Sequence, residues 1–195
     1  YSIASKYMKS PNPAAYKDNL QHLLPKVSKT ANVKHMRSLD YYELPNLINE
    51  LFELKTTSSL ALIFKISTAA RTSEVIGAQW NEFDLTNKIW TIPASRMKKR
   101  REHVVPLNDL ACMIINNMPK HNSSEFIFLN NSKKSHIDNN KMNVTLKTYL
   151  PEFHKKTVPH GLRSSFRNWA EENYNFSRRA VELCLSPVSY THLRA

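Results

Sequence analysis

The segment PHGLRSSFRNWA, residues 159–170, carries the strongest local pattern in the chain. Its apolar residues recur at helical spacing, at Leu162, Phe166, Trp169 and Ala170. This spacing predicts an amphipathic helix with one buried face. His160 and Arg163 are three positions apart, so they share an adjacent face. The segment therefore presents a titratable imidazole beside a permanent cation.

A strongly apolar run upstream, residues 60–66, predicts a core helix. The sequence Thr-Ala-Ala-Arg, which ends at Arg71, follows this run closely. After Arg71, Thr72 is the predicted N-cap of a further helix, and Glu74 occupies its first turn, where the helix dipole favours an acid. Arg71 is thus expected at a corner between two helices, and Glu74 is expected to brace the fold.

Alternation of apolar and polar residues predicts two strands, residues 88–93 and 103–107, with a third short strand at 82–85. The connection over residues 95–102 places five cations in six positions: Arg96, Lys98, Lys99, Arg100 and Arg101. A cationic hairpin tip of this kind favours entry into a DNA groove. A solvated hairpin without a ligand is the plainer alternative.

Further helices are predicted over residues 40–52, 108–117, 139–149 and 178–185, where apolar residues recur at three and four positions. The predicted fold class is α+β and mainly α-helical, with a small three-stranded antiparallel sheet. No internal repeat or low-complexity tract interrupts this pattern.

The charge balance favours a polyanionic partner. Lys and Arg total 28 against 16 Asp and Glu, which gives a formal charge of +12. Nucleic acid is the expected partner because cationic side chains release the counterions of a phosphate backbone. A basic surface without a nucleic-acid role remains an alternative from charge alone. With only two glycines in the chain, Gly77 and Gly161, the sequence excludes a glycine-rich phosphate cradle.

Cysteine and carboxylate placement argues against metal chemistry. Cys112 and Cys184 lack the spacing of a zinc site or disulfide framework. The acidic residues that would have to cluster around a metal fall in predicted caps and loops: Asp40, Asp84, Asp109 and Asp138. A metal-dependent nuclease is therefore disfavoured. No segment is typical of a signal peptide or membrane span, which indicates a cytoplasmic protein.

Four blocks occur in the order and approximate spacing of the tyrosine recombinases: residues 71–74, 90–107, 160–163 and 181–186. The chain resembles the catalytic domain of phage integrases, and its hairpin block is similar to that of satellite-phage integrases. The resemblance implies the fold of DNA breaking-rejoining enzymes. A plain helical nucleic-acid-binding module explains the charge but not the spaced Arg, Lys, His and Arg.

What the resemblance implies is site-specific DNA recombination through a covalent 3′-phosphotyrosine, with no metal or other cofactor. Arg71 and Arg163 are expected to hold the scissile phosphate. Lys98 would donate a proton to the departing 5′-oxygen, and His160 would assist proton transfer from the nucleophile. Lys99 replaces Lys98 if the hairpin register shifts by one residue. The residues expected to contact DNA are Arg96, Lys99, Arg100, Arg101 and Arg167.

The implied partners are double-stranded DNA attachment sites and further copies of the chain in a tetramer. An excisionase or a host DNA-bending protein is a possible additional partner. No membrane is implied. The expected location is the bacterial cytoplasm, with the protein associated with the nucleoid or encoded by a phage.

The resemblance also implies boundaries. Residues 1–14 are expected to end an N-terminal core-binding, SAM-like domain, 15–38 to form a linker, and 39–186 to form an incomplete catalytic domain. Pro187 stands where the family has a histidine, and Tyr190 is not assigned as the nucleophile because it follows a helix-breaking proline closely. Residues 187–195 can be encoded by a transposon-end adapter used in sequencing libraries, so the natural tyrosine is expected beyond them. The alternative function is DNA binding without cleavage.

Overall fold

The computed structural model describes residues 36–97, 100–173, 176 and 178–185, with residues 178 and 179 described by their backbone alone. All of them belong to the second of two compact units into which the chain divides, which begins at Met36. The predictions for residues 1–14, for most of the 15–38 linker and for the 187–195 tail lie outside this range.

Eight α-helices and three strands make up the described part of the chain. The helices are α1 (Leu44–Glu53), α2 (Thr57–Thr68), α3 (Thr72–Ile76), α4 (Asp109–Asn117), α5 (Lys141–Tyr149), α6 (Pro151–Lys156), α7 (Leu162–Asn173) and α8 (Arg178–Leu185). The strands are β1 (Phe83–Asp84), β2 (Ile89–Ile92) and β3 (His103–Pro106). Short 3₁₀ turns, residues 41–43, 80–82 and 94–96, precede α1, β1 and the hairpin connection.

The strands form one antiparallel sheet in the order β1-β2-β3, which confirms the predicted three-stranded sheet. Trp90 on β2 pairs with Val105 on β3, and Ile92 pairs with His103. All four side chains are buried, whereas Val104 between them is exposed. This alternation is the period-two pattern from which the strands were predicted.

The predicted core helix over residues 60–66 is confirmed as part of α2, which lies at the centre of the fold. Its residues 61–64 are fully buried, and α1, α4 and α5 pack around it. The Phe64 ring lies 5.3 Å from that of Trp90 and 5.6 Å from that of Phe128, measured between centroids. A helix buried on more than one side is apolar around most of its circumference, which explains its lack of a polar stripe.

The two ends of α2 are defined by local chemistry. At its start, the Thr56 hydroxyl accepts a hydrogen bond from the Ser59 N–H at 3.1 Å, and the Ser59 hydroxyl accepts from the Thr56 N–H at 3.1 Å. This is a capping box built with serine. At its end, Ala69 adopts the left-handed conformation with φ of 50°, which stops the helix.

The prediction that Thr72 caps α3 is wrong, because Arg71 is the N-cap and Thr72 is the first helical residue. The Glu74 carboxylate accepts a hydrogen bond from the Arg71 backbone N–H at 2.7 Å. This contact is the half of a capping box in which the residue at N3 accepts from the N-cap N–H, and it places the arginine at the helix end itself.

The segment before α1 packs against the turn that begins α7. The Leu39 carbonyl accepts a hydrogen bond from the Ser165 hydroxyl at 2.5 Å, and the Arg37 carbonyl accepts one from the Thr157 hydroxyl at 3.2 Å. A Cβ added at Gly161 would lie 1.8 Å from the Arg37 carbonyl oxygen. Glycine is therefore required at residue 161 by the close approach of a second backbone.

We predict that Gly161→Ala lowers the free energy of unfolding by about 2 kcal/mol, since the backbone at Arg37 must move to make room. Gly77→Ala is the comparison, because the nearest atom to its added Cβ is a side-chain nitrogen, Arg96 Nη2 at 2.9 Å, which can shift further than a backbone carbonyl. Urea unfolding monitored by tryptophan fluorescence measures both. Equal losses in the two variants would contradict the packing described for Gly161.

Candidate active site

The backbone between α2 and α3 has all its polar groups paired. The Ala69 N–H donates to the Ile66 carbonyl at 3.4 Å, and the Ala70 N–H donates to the Thr68 hydroxyl at 3.4 Å. Their two carbonyl oxygens accept hydrogen bonds from cationic side chains, Arg163 at Ala69 and Lys65 at Ala70. The turn that carries Arg71 is therefore fixed from both α2 and α7.

Arg71 follows this turn directly and is held by Glu74. Its Nη1 donates to Glu74 Oε1 at 2.7 Å, in addition to the backbone contact with Oε2. The Arg71 side chain is 35% exposed, whereas that of Glu74 is 5% exposed. The buried carboxylate thus orients a guanidinium that still reaches the surface.

Arg163 lies in the first turn of α7 and is buried. Its Nη1 donates to the Ala69 carbonyl, and its Nη2 donates to the Leu185 carbonyl at 2.5 Å, so it joins the turn to the end of α8. Burial, and then the charge of Arg71, lowers the pKa of Arg163 to about 10. The guanidinium remains charged at neutral pH, and these two bonds use two of its five N–H donors.

His160 lies in the turn before α7 and is exposed. Partial burial, followed by the positive charges of Lys65, Arg163 and Arg71, lowers its pKa below the ordinary value. The imidazole is therefore neutral at pH 7 in the protein without DNA, and a neutral imidazole can accept a proton.

Two residues of this region were not predicted from the sequence. Lys65 is 1% exposed, and burial together with Arg163 and Arg71 lowers its pKa to about 7, against a smaller opposing effect of Glu74. His103, at the start of β3, is 8% exposed, and burial is the largest cause of its lowered pKa. Two sequence features could have indicated them: Lys65 is the one charged residue in the apolar run 60–66, and His103 occupies an inward-facing position of a predicted strand.

The described residues of the hairpin connection divide into inward and outward cations. Arg96 forms an ion pair with Glu82 and donates to the Glu74 carbonyl at 2.6 Å. Arg100 and Arg101 are exposed. The DNA contact predicted for Arg96 stays a prediction, but its guanidinium is engaged inside the protein. Lys98 and its alternative Lys99 lie outside the described residues, as does Tyr190.

Arg167 connects the last two helices. Its Nε lies 3.3 Å from Glu171 Oε1 on α7, and its Nη2 pairs with Glu182 on α8. The side chain is 33% exposed, and its predicted DNA contact also stays a prediction. Through Arg167 and Arg163, α8 is attached to α7 by charged side chains as well as by packing.

The helical fold with its three-stranded antiparallel sheet is that of tyrosine recombinase catalytic domains. The XerA recombinase crystal structure superimposes with a TM-score of 0.66 at 19% identity, over 82% of this chain and 62% of that one. XerH site-specific recombinase bound to palindromic difH substrate gives 0.65 at 16% identity, over 90% and 52%. The Tn1549 transposon integrase in complex with transposon right end DNA gives 0.65 at 14% identity, over 95% and 66%.

Residues 37–179 match the model of the phage integrase family, so the chain belongs to that family. Prophage integrase IntA of Escherichia coli K12 is 32% identical over 83% of this chain and 39% of its own length. The integrase of Enterobacteria phage P4 is 25% identical over the whole chain and 46% of its own length. The chain thus spans less than half the length of these relatives.

Within the described ranges, no helix is long and apolar enough to cross a membrane. Over the same residues, no group of three or more His, Cys, Asp and Glu side chains is arranged to hold a metal ion.

Lys65 predicts a pH dependence of stability. Its pKa is about 7 in the folded protein and near 10.5 when the side chain is solvated, so between these values the unfolded chain binds more protons. The free energy of unfolding therefore rises with pH across this window and is insensitive to Lys65 below pH 7. We expect wild type to gain about 1 kcal/mol per pH unit relative to Lys65→Met between pH 7 and 9. Urea unfolding at several pH values measures this difference, and parallel curves for the two proteins would contradict it.

Proposed function

We propose that the protein carries out site-specific recombination of phage or other mobile-element DNA by strand cleavage and rejoining. The observation that carries this proposal is the convergence of Arg71 and Arg163 on one fixed turn, with His160 close enough for its pKa to respond to both. Family membership supports the same reaction class.

The arginine pair suits a phosphodiester. Attack on phosphorus builds negative charge on the non-bridging oxygens, and guanidinium groups stabilise it by charge-assisted hydrogen bonds. Fixed donors are more effective than mobile ones because they need no reorganisation during the reaction. The bonds of Arg163 to two carbonyls and of Arg71 to Glu74 provide this fixation.

Proton transfer falls to His160 and Lys98. A neutral His160 accepts the proton of a tyrosine hydroxyl as its oxygen forms a bond to phosphorus. The bond from phosphorus to the 5′-oxygen then breaks, and Lys98 protonates that oxygen, leaving a 3′-phosphotyrosine and a 5′-hydroxyl. We do not assign the tyrosine to any described residue, and we place the natural nucleophile after residue 186.

Double-stranded DNA at attachment sites is the proposed substrate. The formal charge of +12 and the exposed Arg100 and Arg101 of the hairpin favour a phosphate backbone. Among the similar structures, XerH is bound to its palindromic difH substrate, and the Tn1549 integrase is in complex with transposon right end DNA. We further propose that residues 39–186 form the catalytic domain and that the protein acts as a homotetramer on paired DNA sites. Its proposed location is the nucleoid in the bacterial cytoplasm, and its proposed additional partner is an excisionase or a DNA-bending protein.

DNA binding without cleavage is the second candidate. The formal charge of +12 favours it independently of any catalytic residue. The two candidates differ in whether Arg71, Arg163 and His160 act on a phosphodiester. Formation of a covalent protein–DNA intermediate would support recombination, and DNA binding without it would support the second candidate.

Covalent adduct formation on a nicked suicide duplex tests the proposal, with the protein encoded by the complete genomic locus. We predict that Arg71→Ala and Arg163→Ala each reduce the rate of adduct formation by about 10²-fold, because each removes a fixed donor to the transition state. Lys147→Ala, at an exposed residue of α5, is the charge-matched control and should react normally. Denaturing gels with labelled DNA measure the adduct.

Normal adduct formation by Arg71→Ala would remove the arginine pair from the mechanism. Adduct formation by the 195-residue chain itself, lost in Tyr190→Phe, would contradict our placement of the nucleophile. Binding with no adduct on the correct site would favour the second candidate.

A further inference from the structure

Lys65 is a charged residue in the least accessible part of the fold. Its neighbours in α2 from Ala61 to Phe64 are fully buried, and Lys65 itself is 1% exposed. Burial of an ammonium group is unfavourable because water solvates it far better than a protein interior does. An apolar side chain of similar length would fill the same space without this cost. Packing alone therefore does not account for a lysine here.

Among the residues that the structure describes, the Lys65 ammonium makes one hydrogen bond, from Nζ to the Ala70 carbonyl at 2.7 Å. Ala70 immediately precedes Arg71, and the carbonyl before it, that of Ala69, is bound by Arg163. Two cations from different helices thus hold successive carbonyls of one turn. Since Ala69 has a φ of 50°, which costs free energy in a residue with a Cβ, this turn needs such support to persist.

We propose that Lys65 is a positioning residue, which binds the Ala70 carbonyl so that Arg71 faces the DNA phosphate, and which takes up a proton when that phosphate binds. This inference rests on the proposed function, because it assumes that Arg71 and Arg163 hold a phosphate. Lys65 does not touch the DNA in this account and acts through the backbone of the turn.

The charges around Lys65 explain the proton uptake. Arg71 and Glu74 face it from α3, Arg163 from α7 and His160 from the turn before α7, while His103 of β3 faces the same arginines and Glu74. Among these described groups, two are arginine cations, two are histidines that can take up a proton, and one, Glu74, is a carboxylate. A bound phosphate adds negative charge at the arginine pair and so favours the protonated form of Lys65.

The sign of the resulting pH dependence follows from linkage. The pKa of Lys65 is about 7 without DNA and higher with it, so DNA affinity falls as pH rises above 7. His160 and His103 have pKa values below the ordinary value, so their effects fall at lower pH and remain in a Lys65 variant. The difference between wild type and Lys65→Met isolates the lysine.

The experiment measures fluorescence anisotropy of a labelled duplex selected from a random library by the wild-type chain, at several pH values from 6 to 9. Lys65→Met is the test variant, and Arg71→Ala reports whether the phosphate site is engaged. Lys141→Met removes the same charge as a control, because Lys141, the first residue of α5, lines a cavity with Ser58 at the start of α2, whereas Lys65 is near the end of α2. We expect Lys65→Met to weaken binding about tenfold at pH 7, the size of one lost charge-assisted hydrogen bond, and to flatten the decline in affinity above pH 7. Thermal unfolding should shift by only a few degrees, because removing the buried ammonium group offsets the lost hydrogen bond to the Ala70 carbonyl.

Each outcome decides a separate question. If Arg71→Ala weakens binding but Lys65→Met matches Lys141→Met in affinity and pH profile, the role of Lys65 is refuted and the phosphate site stands. If Arg71→Ala has no effect, the phosphate site is refuted, and the role of Lys65 falls with it. If Lys65→Met unfolds, Lys65→Arg provides the second test, because it restores the cation and donor and should recover affinity if positioning is the cause.

Discussion

Two buried cations bind the carbonyl oxygens of Ala69 and Ala70, and the position of Arg71 depends on them. A carbonyl inside a protein needs a donor, and a cation inside a protein needs an acceptor, so each contact satisfies two requirements at once. The contacts of Lys65 and Arg163 join α2, α7 and the N-terminus of α3. Through the Leu185 carbonyl, Arg163 extends the same arrangement to α8.

The arrangement leaves the site electrostatically unbalanced. Lys65, Arg71 and Arg163 lie around the carboxylate of Glu74, and the lowered pKa values of Lys65 and Arg163 reflect both burial and repulsion between the cations. An interior of this kind is less stable than an apolar one would be, and an anionic ligand relieves the repulsion. The repulsion that lowers the stability of the free protein is relieved when a phosphate binds, and this relief contributes to the free energy of binding.

Local patterns predicted most of the fold. The apolar run of residues 60–66, the alternation in the three strands and the amphipathic stripe of α7 each reflect one secondary structure packing on one core, and each was confirmed. The six-residue helix α6 was not predicted because it carries no buried residue and so shows no periodic signal. Thr72 was given the cap because threonine is the common choice, whereas Glu74 reaches back to make Arg71 the cap.

The candidate site was less predictable, because its contacts join residues far apart in sequence. The partnership of Arg163 with Ala69 spans 94 positions, and no local pattern encodes it. The apolar run of residues 60–66 predicts a core helix whether or not it contains one lysine, so the pattern gives no sign that Lys65 has a role of its own. Arg96 was grouped with the other hairpin cations because composition cannot distinguish an inward guanidinium, paired with Glu82, from the outward ones at Arg100 and Arg101.

A crystal structure of the protein bound to its selected duplex tests whether the two arginines hold a phosphate. We expect one backbone phosphate within about 3 Å of both the Arg71 and the Arg163 guanidinium groups, with the Ala69 and Ala70 carbonyls still bound by Arg163 and Lys65. DNA that contacts the hairpin alone, with no phosphate at the two arginines, would contradict it.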